Sequence, residues 1–221
     1  MLKLIVFDWD GTLVNSVDKI IECKNFLANK YSLPLPSEVI IKKVLGTKFE
    51  DALIKCFPSA DSITLSKLSK EFHLLMQTSH YQAPLFPMVK EVLEMLKKRG
   101  IKLAIATAKN RKELDRAILY NKLSNIFDII CCGDEYQSKP DPIMLKYIME
   151  KFNVNHDECI MIGDTKTDLL FATNAKVKAI GVTFGAHSIT ELQAAHPIAL
   201  ISEWAQLPEV IDKLCCEKQV F

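Results

Sequence analysis

Five short apolar runs recur along the chain, separated by longer stretches with helical periodicity. The runs are Leu2–Phe7, Lys102–Ala106, Phe127–Cys132, Cys159–Ile162 and Ala179–Val182. They show little alternation of polar and apolar residues, which is typical of strands buried on both faces of a parallel sheet. The longer stretches predict helices over Met88–Arg99, Asn110–Tyr120, Pro142–Phe152 and Thr167–Asn174. This order predicts an α/β fold, an open parallel Rossmann-like sheet with right-handed crossovers.

More than ninety residues separate the first two predicted strands, which is far more than one crossover needs. Four amphipathic helices are predicted within this interval, over Ser16–Tyr31, Ser37–Leu45, Lys48–Cys56 and Thr64–Tyr81. We therefore expect a core formed by residues 1–14 and 85–221 and an α-helical cap formed by residues 15–84, inserted after strand one. The cap would lie over the carboxyl ends of the strands, where ligands of open α/β sheets bind.

The composition is that of an ordinary globular protein, with 221 residues, 49% of them hydrophobic and 25% charged. The formal net charge of +1 argues against a strongly basic nucleic-acid-binding domain. No apolar run is long enough to span a bilayer, and the amino terminus lacks the features of a signal peptide. We expect no nucleic-acid or membrane partner, and the sequence does not decide between a monomer and a homodimer.

The seven cysteines are an odd number and include no C-x-x-C spacing, which argues against a disulfide framework and against a zinc site. Cys131, Cys132 and Cys159 lie in or beside apolar runs and are predicted to be core thiols. A chain of this kind is typical of a reducing compartment, so we predict a cytoplasmic protein.

The first predicted strand ends in the pentapeptide Asp8-Trp9-Asp10-Gly11-Thr12. Two carboxylates so close together need positive compensation, and a divalent cation such as Mg²⁺ suits their hard oxygen ligands. Gly11 allows a tight turn whose neighbouring N–H groups could bind an anion. On this pentapeptide alone, a turn with solvated carboxylates stays possible. Trp9 is expected to pack on the opposite side of the chain.

Polar residues also follow the other predicted strands. Thr107, followed by Ala108 and Lys109, comes at the end of strand two, and its hydroxyl could donate to a phosphoryl oxygen or bond its own turn. Lys139 precedes a proline and is therefore held extended, where it could neutralise an anion or be solvated. Asp164 and Asp168 follow strand four, and Asp168 could equally serve as a first-turn helix acid. Because one sheet edge gathers all these positions, we expect a single acidic site balanced by Lys139 and Mg²⁺.

These residues resemble the four motifs of the haloacid dehalogenase superfamily of phosphohydrolases. The motifs appear in order as Asp8-x-Asp10-Gly11-Thr12, Thr107, Lys139-Pro140 and Gly163-Asp164-x-x-x-Asp168. The resemblance covers essentially the whole chain, and the helical insertion resembles the small cap of phosphoglycolate phosphatases and their relatives. It implies that Asp8 attacks phosphorus to form an aspartyl-phosphate and that Asp10 serves as general acid and base.

The resemblance also implies roles for the remaining motif positions. Asp8, Asp164 and the main-chain carbonyl of Asp10 would ligate Mg²⁺, with Asp168 in support. Thr107 and Lys139 would hold the phosphoryl oxygens. The substrate-binding positions would be Gly11, Thr12, Ala108, Lys109 and Lys48. Of these, Lys48 lies in a break between two cap helices, where it could pair with a carboxylate or second phosphate of the substrate or remain solvated.

The favoured function is Mg²⁺-dependent hydrolysis of a small phosphorylated metabolite, with phosphoglycolate as the first candidate. An acid at position 10 favours C–O–P hydrolysis, because the dehalogenase branch has Tyr there and the phosphonate-cleaving branch has Ala. A phosphomutase resembling β-phosphoglucomutase, a receiver-like phospho-accepting module and a purely binding member of the superfamily are the alternatives. His73 and His80 are predicted to share one face of a cap helix as exposed or partly packed imidazoles rather than metal ligands.

Overall fold

The computed structural model describes residues 2–216, which form one six-stranded sheet and surrounding helices. The strands are β1 Leu4–Phe7, β2 Lys102–Ala106, β3 Ile129–Cys131, β4 Cys159–Gly163, β5 Lys178–Val182 and β6 Ala199–Ile201. Their order across the sheet is β3-β2-β1-β4-β5-β6, and every neighbouring pair is parallel. The predicted α/β class is therefore confirmed, with β1 between β2 and β4.

Helices connect the strands and cover the sheet. Within the described residues they are α1 Val17–Lys30, α2 Glu38–Lys43, α3 Phe49–Cys56, α4 Ser62–Leu75, α5 Val89–Lys98, α6 Arg111–Tyr120, α7 Ile143–Phe152, α8 Lys166–Asn174, α9 Ile189–Gln193 and α10 Leu207–Cys216. Shorter 3-10 turns cover Ser79–Tyr81, His156–Glu158 and Trp204–Gln206. None of the helices in the described part of the chain combines the length and apolarity needed to cross a bilayer.

The central strand has no exposed face. All four residues of β1 are fully buried, with Ile5 and Phe7 in one hydrophobic cluster and Leu4 and Val6 in another. Alternate side chains of a strand point to opposite faces, so helices on both sides of the sheet explain why the run is apolar throughout. Trp9 joins the same cluster as Phe7, as predicted.

The predicted core thiols are also confirmed. Cys131, Cys132 and Cys159 are at most 1% exposed and are free thiols. Burial raises the pKa of the Cys132 thiol to about 12, which keeps it protonated and inert.

Helices α1 to α4 pack around a separate hydrophobic cluster, to which Ala186 also contributes. The chain leaves and re-enters the sheet domain at adjacent points, where the Asn15 N–H donates to the Pro84 carbonyl at 2.9 Å. Val14 and Leu85 form an antiparallel bridge beside this bond. This narrow two-stranded connection lies next to the boundaries predicted for the cap.

Two predictions about the elements were wrong. The predicted helix over Thr64–Tyr81 ends at Leu75, because the Thr78 hydroxyl donates to the Leu75 carbonyl at 2.7 Å and the chain turns there. His73 therefore lies on α4 while His80 lies in the following 3-10 turn, and the two do not share a helix face. The strand β6 and the helices α9 and α10 were not predicted at all.

Candidate active site

The carboxyl ends of the central strands converge on one acidic cluster. Asp8 follows β1, Thr107 follows β2 and Asp164 follows β4. One oxygen each of Asp8, Asp164 and Asp168 lies within 4.8 Å of the others, and all three residues are buried. The structure thus brings together carboxylates that stand up to 160 positions apart in the sequence.

Lys139 joins two of these carboxylates. Its ammonium donates to Asp8 Oδ1 at 2.7 Å and to Asp168 Oδ1 at 2.6 Å, and the lysine side chain is completely buried. Burial on its own lowers the pKa of Lys139, but the charges of Asp168 and Asp8 raise it above its ordinary value overall. The ammonium is therefore permanently charged. It is not a solvated surface lysine.

The buried position of Asp8 disfavours the ionised form of its carboxyl group. Burial is the largest influence and raises the pKa of Asp8, Lys139 opposes it, and the charge of Asp168 raises it again, to about 7. Only one oxygen of Asp8 accepts from Lys139. The Asp8 carboxylate would therefore gain from a further cation beside it.

Asp168 combines two roles that the sequence had left as alternatives. It occupies the first turn of α8, where its main-chain N–H bonds the Thr165 hydroxyl and its Oδ2 accepts from the Thr165 hydroxyl and N–H. This is a reciprocal helix cap. Its other oxygen holds Lys139. The helix cap thereby fixes the carboxylate that orients the lysine.

Asp164 is enclosed by close backbone approaches. Its Oδ1 accepts from the Thr12 hydroxyl at 3.0 Å and its Oδ2 from the Ala186 N–H at 2.7 Å. Gly11 has a φ of +79°, and a Cβ there would lie 2.3 Å from Asp164 Oδ2, so only glycine fits. Burial first, and then the charges of Asp168 and Asp8, raise the pKa of Asp164 well above its ordinary range.

The predicted anion-binding role of Gly11 and Thr12 is not what the structure shows. The Gly11 N–H donates to the Val14 carbonyl at 3.0 Å, and the Thr12 N–H contacts the Trp9 carbonyl at 3.3 Å. The turn itself consumes these donors, and the Thr12 hydroxyl is committed to Asp164. Both residues therefore build the surroundings of Asp164, and neither is among the residues that line the neighbouring cavity.

The charges of the cluster fit a divalent cation. Three ionised carboxylates, from Asp8, Asp164 and Asp168, and one ammonium, from Lys139, leave two uncompensated negative charges in a buried site. Carboxylate oxygens are the hard ligands that Mg²⁺ prefers. The raised pKa values of Asp8 and Asp164 express the same shortage of positive charge. The residues present therefore fit Mg²⁺.

Asp10 lies on the cavity side and is held by a second lysine. The Lys109 ammonium lies 2.9 and 3.2 Å from the two oxygens of Asp10 and 4.0 Å from Glu113. Burial lowers the pKa of Lys109, but the charges of Asp10 and Glu113 outweigh it and leave a net rise. Lys109, predicted to bind substrate, is thus bound first of all to Asp10.

Thr107 and Ala108 line the same cavity as Asp8. The Thr107 hydroxyl oxygen accepts from the Lys109 N–H at 3.2 Å, which is the turn bond that the sequence left open. A hydroxyl that accepts one bond still has its proton to donate. Its turn bond and a bond to a phosphoryl oxygen are therefore compatible.

A cavity of about 160 Å³ separates the core residues from the helical segment. Its core side includes Asp8, Asp10 and Thr107, and its other side is largely apolar, with Ile20, Phe49, Phe72 and Met76. The loop between α2 and α3 contacts the core directly, since a Cβ on Gly46 would lie 2.9 Å from Thr165 Oγ1. The helical segment therefore closes over the acidic cluster.

The structure does not bring Lys48 into the site. Lys48 immediately precedes α3 and its side chain is exposed, whereas Gly46 and Thr47 line the cavity. Within the helical segment as described, the lysine that lines the cavity is Lys24, which was not predicted from the sequence. The available signal was a lysine on the apolar face of α1, four residues after Ile20.

A second polar link crosses from the helical segment to the core. His73 Nδ1 of α4 lies 2.7 Å from Oε1 of Glu113, a buried carboxylate on α6. The His73 ring also packs on Phe49, with centroids 4.4 Å apart. His73 is therefore partly packed, as predicted, but it has a carboxylate partner that the sequence did not reveal.

Comparison with known proteins agrees with this architecture. The sequence model described as haloacid dehalogenase-like hydrolase matches residues 5–182. Phosphoglycolate phosphatases of Vibrio vulnificus (strain YJ016) and Vibrio parahaemolyticus (serotype O3:K6, strain RIMD 2210633) are 29% and 30% identical to this chain, each covering 95% of it and 96% of the relative. The crystal structure of a predicted phosphoglycolate phosphatase from Haemophilus somnus 129pt has the same fold, with a TM-score of 0.86 at 23% identity over 95% of this chain and 98% of that one. The chain belongs to the haloacid dehalogenase-like hydrolase family.

Proposed function

We propose that this protein is a Mg²⁺-dependent phosphomonoesterase that acts on a small phosphorylated metabolite through an aspartyl-phosphate on Asp8. The observation that carries the proposal is the position of the Asp8 carboxylate. It lines the cavity between the core and the helical segment, one oxygen is fixed by Lys139, and the surrounding cluster lacks two positive charges. A carboxylate in this position could attack the phosphorus of a phosphate ester that binds together with Mg²⁺.

Asp8, Asp164 and the main-chain carbonyl of Asp10 would hold the Mg²⁺ ion. When bound, the ion supplies charge neutralisation that lets an anionic nucleophile approach an anionic phosphate. Asp168 is better suited to support than to ligation, because its Oδ2 already accepts two hydrogen bonds from Thr165 and its Oδ1 holds Lys139.

The proposed chemistry has two steps. Asp8 attacks phosphorus, the bond from phosphorus to the ester oxygen breaks, and Asp10 donates its proton to the departing alkoxide. A water molecule then attacks the aspartyl-phosphate while Asp10 takes its proton, which releases phosphate and free Asp8. Lys109 contacts both oxygens of Asp10 and would keep this side chain in place for the two proton transfers. Thr107 and Lys139 would hold the phosphoryl oxygens.

Phosphoglycolate is the proposed substrate because two relatives that match nearly the full chain carry that activity in their names. The cavity volume of about 160 Å³ also favours a small leaving group. A phosphomutase would use the same Asp8 and Asp10. A screen of phosphorylated metabolites with Mg²⁺ separates the two activities. A phosphatase releases one phosphate for each substrate molecule consumed, whereas a mutase converts a sugar phosphate into its isomer and releases little phosphate.

The test of the nucleophile is the Asp8→Asn variant, assayed with p-nitrophenyl phosphate and Mg²⁺. An amide cannot form the acyl phosphate, so we expect hydrolysis to fall to background. Asp18→Asn is the matched control, since Asp18 is exposed in the first turn of α1, and it should keep wild-type kcat. Wild-type kcat in Asp8→Asn would exclude the proposed role of Asp8.

A further inference from the structure

A buried lysine of the helical segment faces the site without a carboxylate partner. Lys24 is 2% exposed, lines the cavity, and donates to the Cys56 thiol sulfur at 3.2 Å. Among residues 2–216 no carboxylate lies within 4.0 Å of its ammonium. The other buried lysine of the site, Lys139, has two such partners.

The surroundings of Lys24 make this arrangement unfavourable in the absence of a ligand. Ile20, Phe72 and Met76 line the same side of the cavity, and a thiol is a weak hydrogen-bond acceptor. A charged group in an apolar site is strongly destabilised unless an opposite charge compensates it. An anion that entered the cavity would supply that charge, and the ammonium could exchange the thiol for it.

We propose that Lys24 binds the carboxylate of a small phosphorylated acid whose phosphate is held at Asp8. This inference rests on the proposed function and names the chemical class of its substrate. The cavity lies between Lys24 on the helical segment and Asp8 and Thr107 on the core. Lys139, which donates to Asp8, supplies positive charge at the phosphate end, and Lys24 supplies it at the other end.

The remaining charged groups of the cavity do not compete for this role. Lys109 is paired with Asp10, and Glu113 with His73. Glu50 and Asp134 also line the cavity, but both are exposed. The ammonium of Lys24 is therefore the cationic group left for the distal end of the substrate. Sugar phosphates fit less well, because the apolar side chains around Lys24 offer their hydroxyl groups few partners.

The test compares 2-phosphoglycolate with 2-hydroxyethyl phosphate, which has a neutral CH₂OH group in place of the carboxylate. The measured quantity is the ratio of kcat/KM for the two substrates in wild type, Lys24→Met and Lys55→Met. Lys55 is an exposed lysine of α3 and is the matched control. We expect wild type and Lys55→Met to prefer phosphoglycolate, and Lys24→Met to lose about 10- to 100-fold of that preference, the range expected for one charged hydrogen bond.

Two results would overturn the inference. One is a wild-type ratio of the two kcat/KM values near one, and the other is a ratio in Lys24→Met within twofold of the wild-type ratio. A purely structural effect of the substitution would lower both kcat/KM values and would also leave their ratio unchanged. Thermal unfolding checks that Lys24→Met is folded, and Lys24→Gln provides the same comparison if it is not. Failure of the proposed function looks different, because wild type would then hydrolyse neither substrate nor p-nitrophenyl phosphate.

Discussion

The Lys139→Met substitution would remove the ammonium between two buried carboxylates while keeping a side chain of similar length. Asp8 and Asp168 would each lose a charged hydrogen bond, of 2.7 and 2.6 Å. The methionine would remain beside the Phe171 ring, over which the ammonium lies 5.5 Å from the centroid. The substitution therefore changes charge far more than packing.

The expected loss of stability is large because the pair is buried. Removing one partner of a buried ion pair costs about 3–5 kcal/mol of unfolding free energy. Protonation of Asp8 would relieve part of this cost, since its pKa is about 7 even with Lys139 present and would rise further without it. The loss should therefore be smallest near pH 5.5, where Asp8 can hold a proton, and largest near pH 8.

The assay is urea unfolding of wild type and variant in EDTA at both pH values. Lys213→Met is the matched control, because Lys213 forms an exposed ion pair with Glu209 at 2.7 Å and its removal should be hard to detect. The reasoning is refuted if Lys139→Met loses less than about 1 kcal/mol at pH 8, or if its loss is greater at pH 5.5 than at pH 8.

Two further results are expected. Without Mg²⁺, the stability of the wild type should fall as pH rises from about 5 to about 8. In this range native Asp8, with a pKa of about 7, still holds a proton that an unfolded aspartate, with a pKa of 3.8, has already released. Melting temperatures in EDTA measure this trend, Mg²⁺ should remove it, and a rise with pH would contradict it. Gly11→Ala should abolish Mg²⁺-dependent stabilisation, because its Cβ would lie 2.3 Å from Asp164 Oδ2. Gly100→Ala has a similar φ of +76° with nothing within 4 Å, so it should lose only about 1–2 kcal/mol, and equal effects of the two variants would argue against the clash.

The central strands could be predicted because their burial on both faces produces short apolar runs in the local sequence. Strands β1 and β4 are apolar throughout, and β2 is apolar after its exposed first residue, Lys102, because both faces of the sheet are covered. Strand β6 has only three residues, two of them partly exposed, so its pattern is too short to distinguish from a loop. Its place in the sheet depends on pairing with β5, which is a non-local interaction.

The acidic cluster could be predicted for a related reason. Asp8 and Asp164 directly follow parallel strands, and such strand ends share one edge of a sheet. The use of the Gly11 and Thr12 donors within their own turn could not be predicted, because it depends on the path of the backbone after β1. Lys24, and not Lys48, lines the cavity because of the way the helical segment is oriented over the core. No local sequence pattern encodes that orientation.

The central claim is that Asp8 becomes phosphorylated during turnover, and the most direct measurement is chemical trapping of that species. Wild-type protein is mixed with Mg²⁺ and p-nitrophenyl phosphate, quenched in acid during turnover and reduced with borohydride, and the modified peptide is located by mass spectrometry. The account predicts reduction of the residue 8 carboxyl group only when substrate and Mg²⁺ are both present. Continued turnover with modification at a different carboxylate, or with Asp8 unmodified, would contradict it.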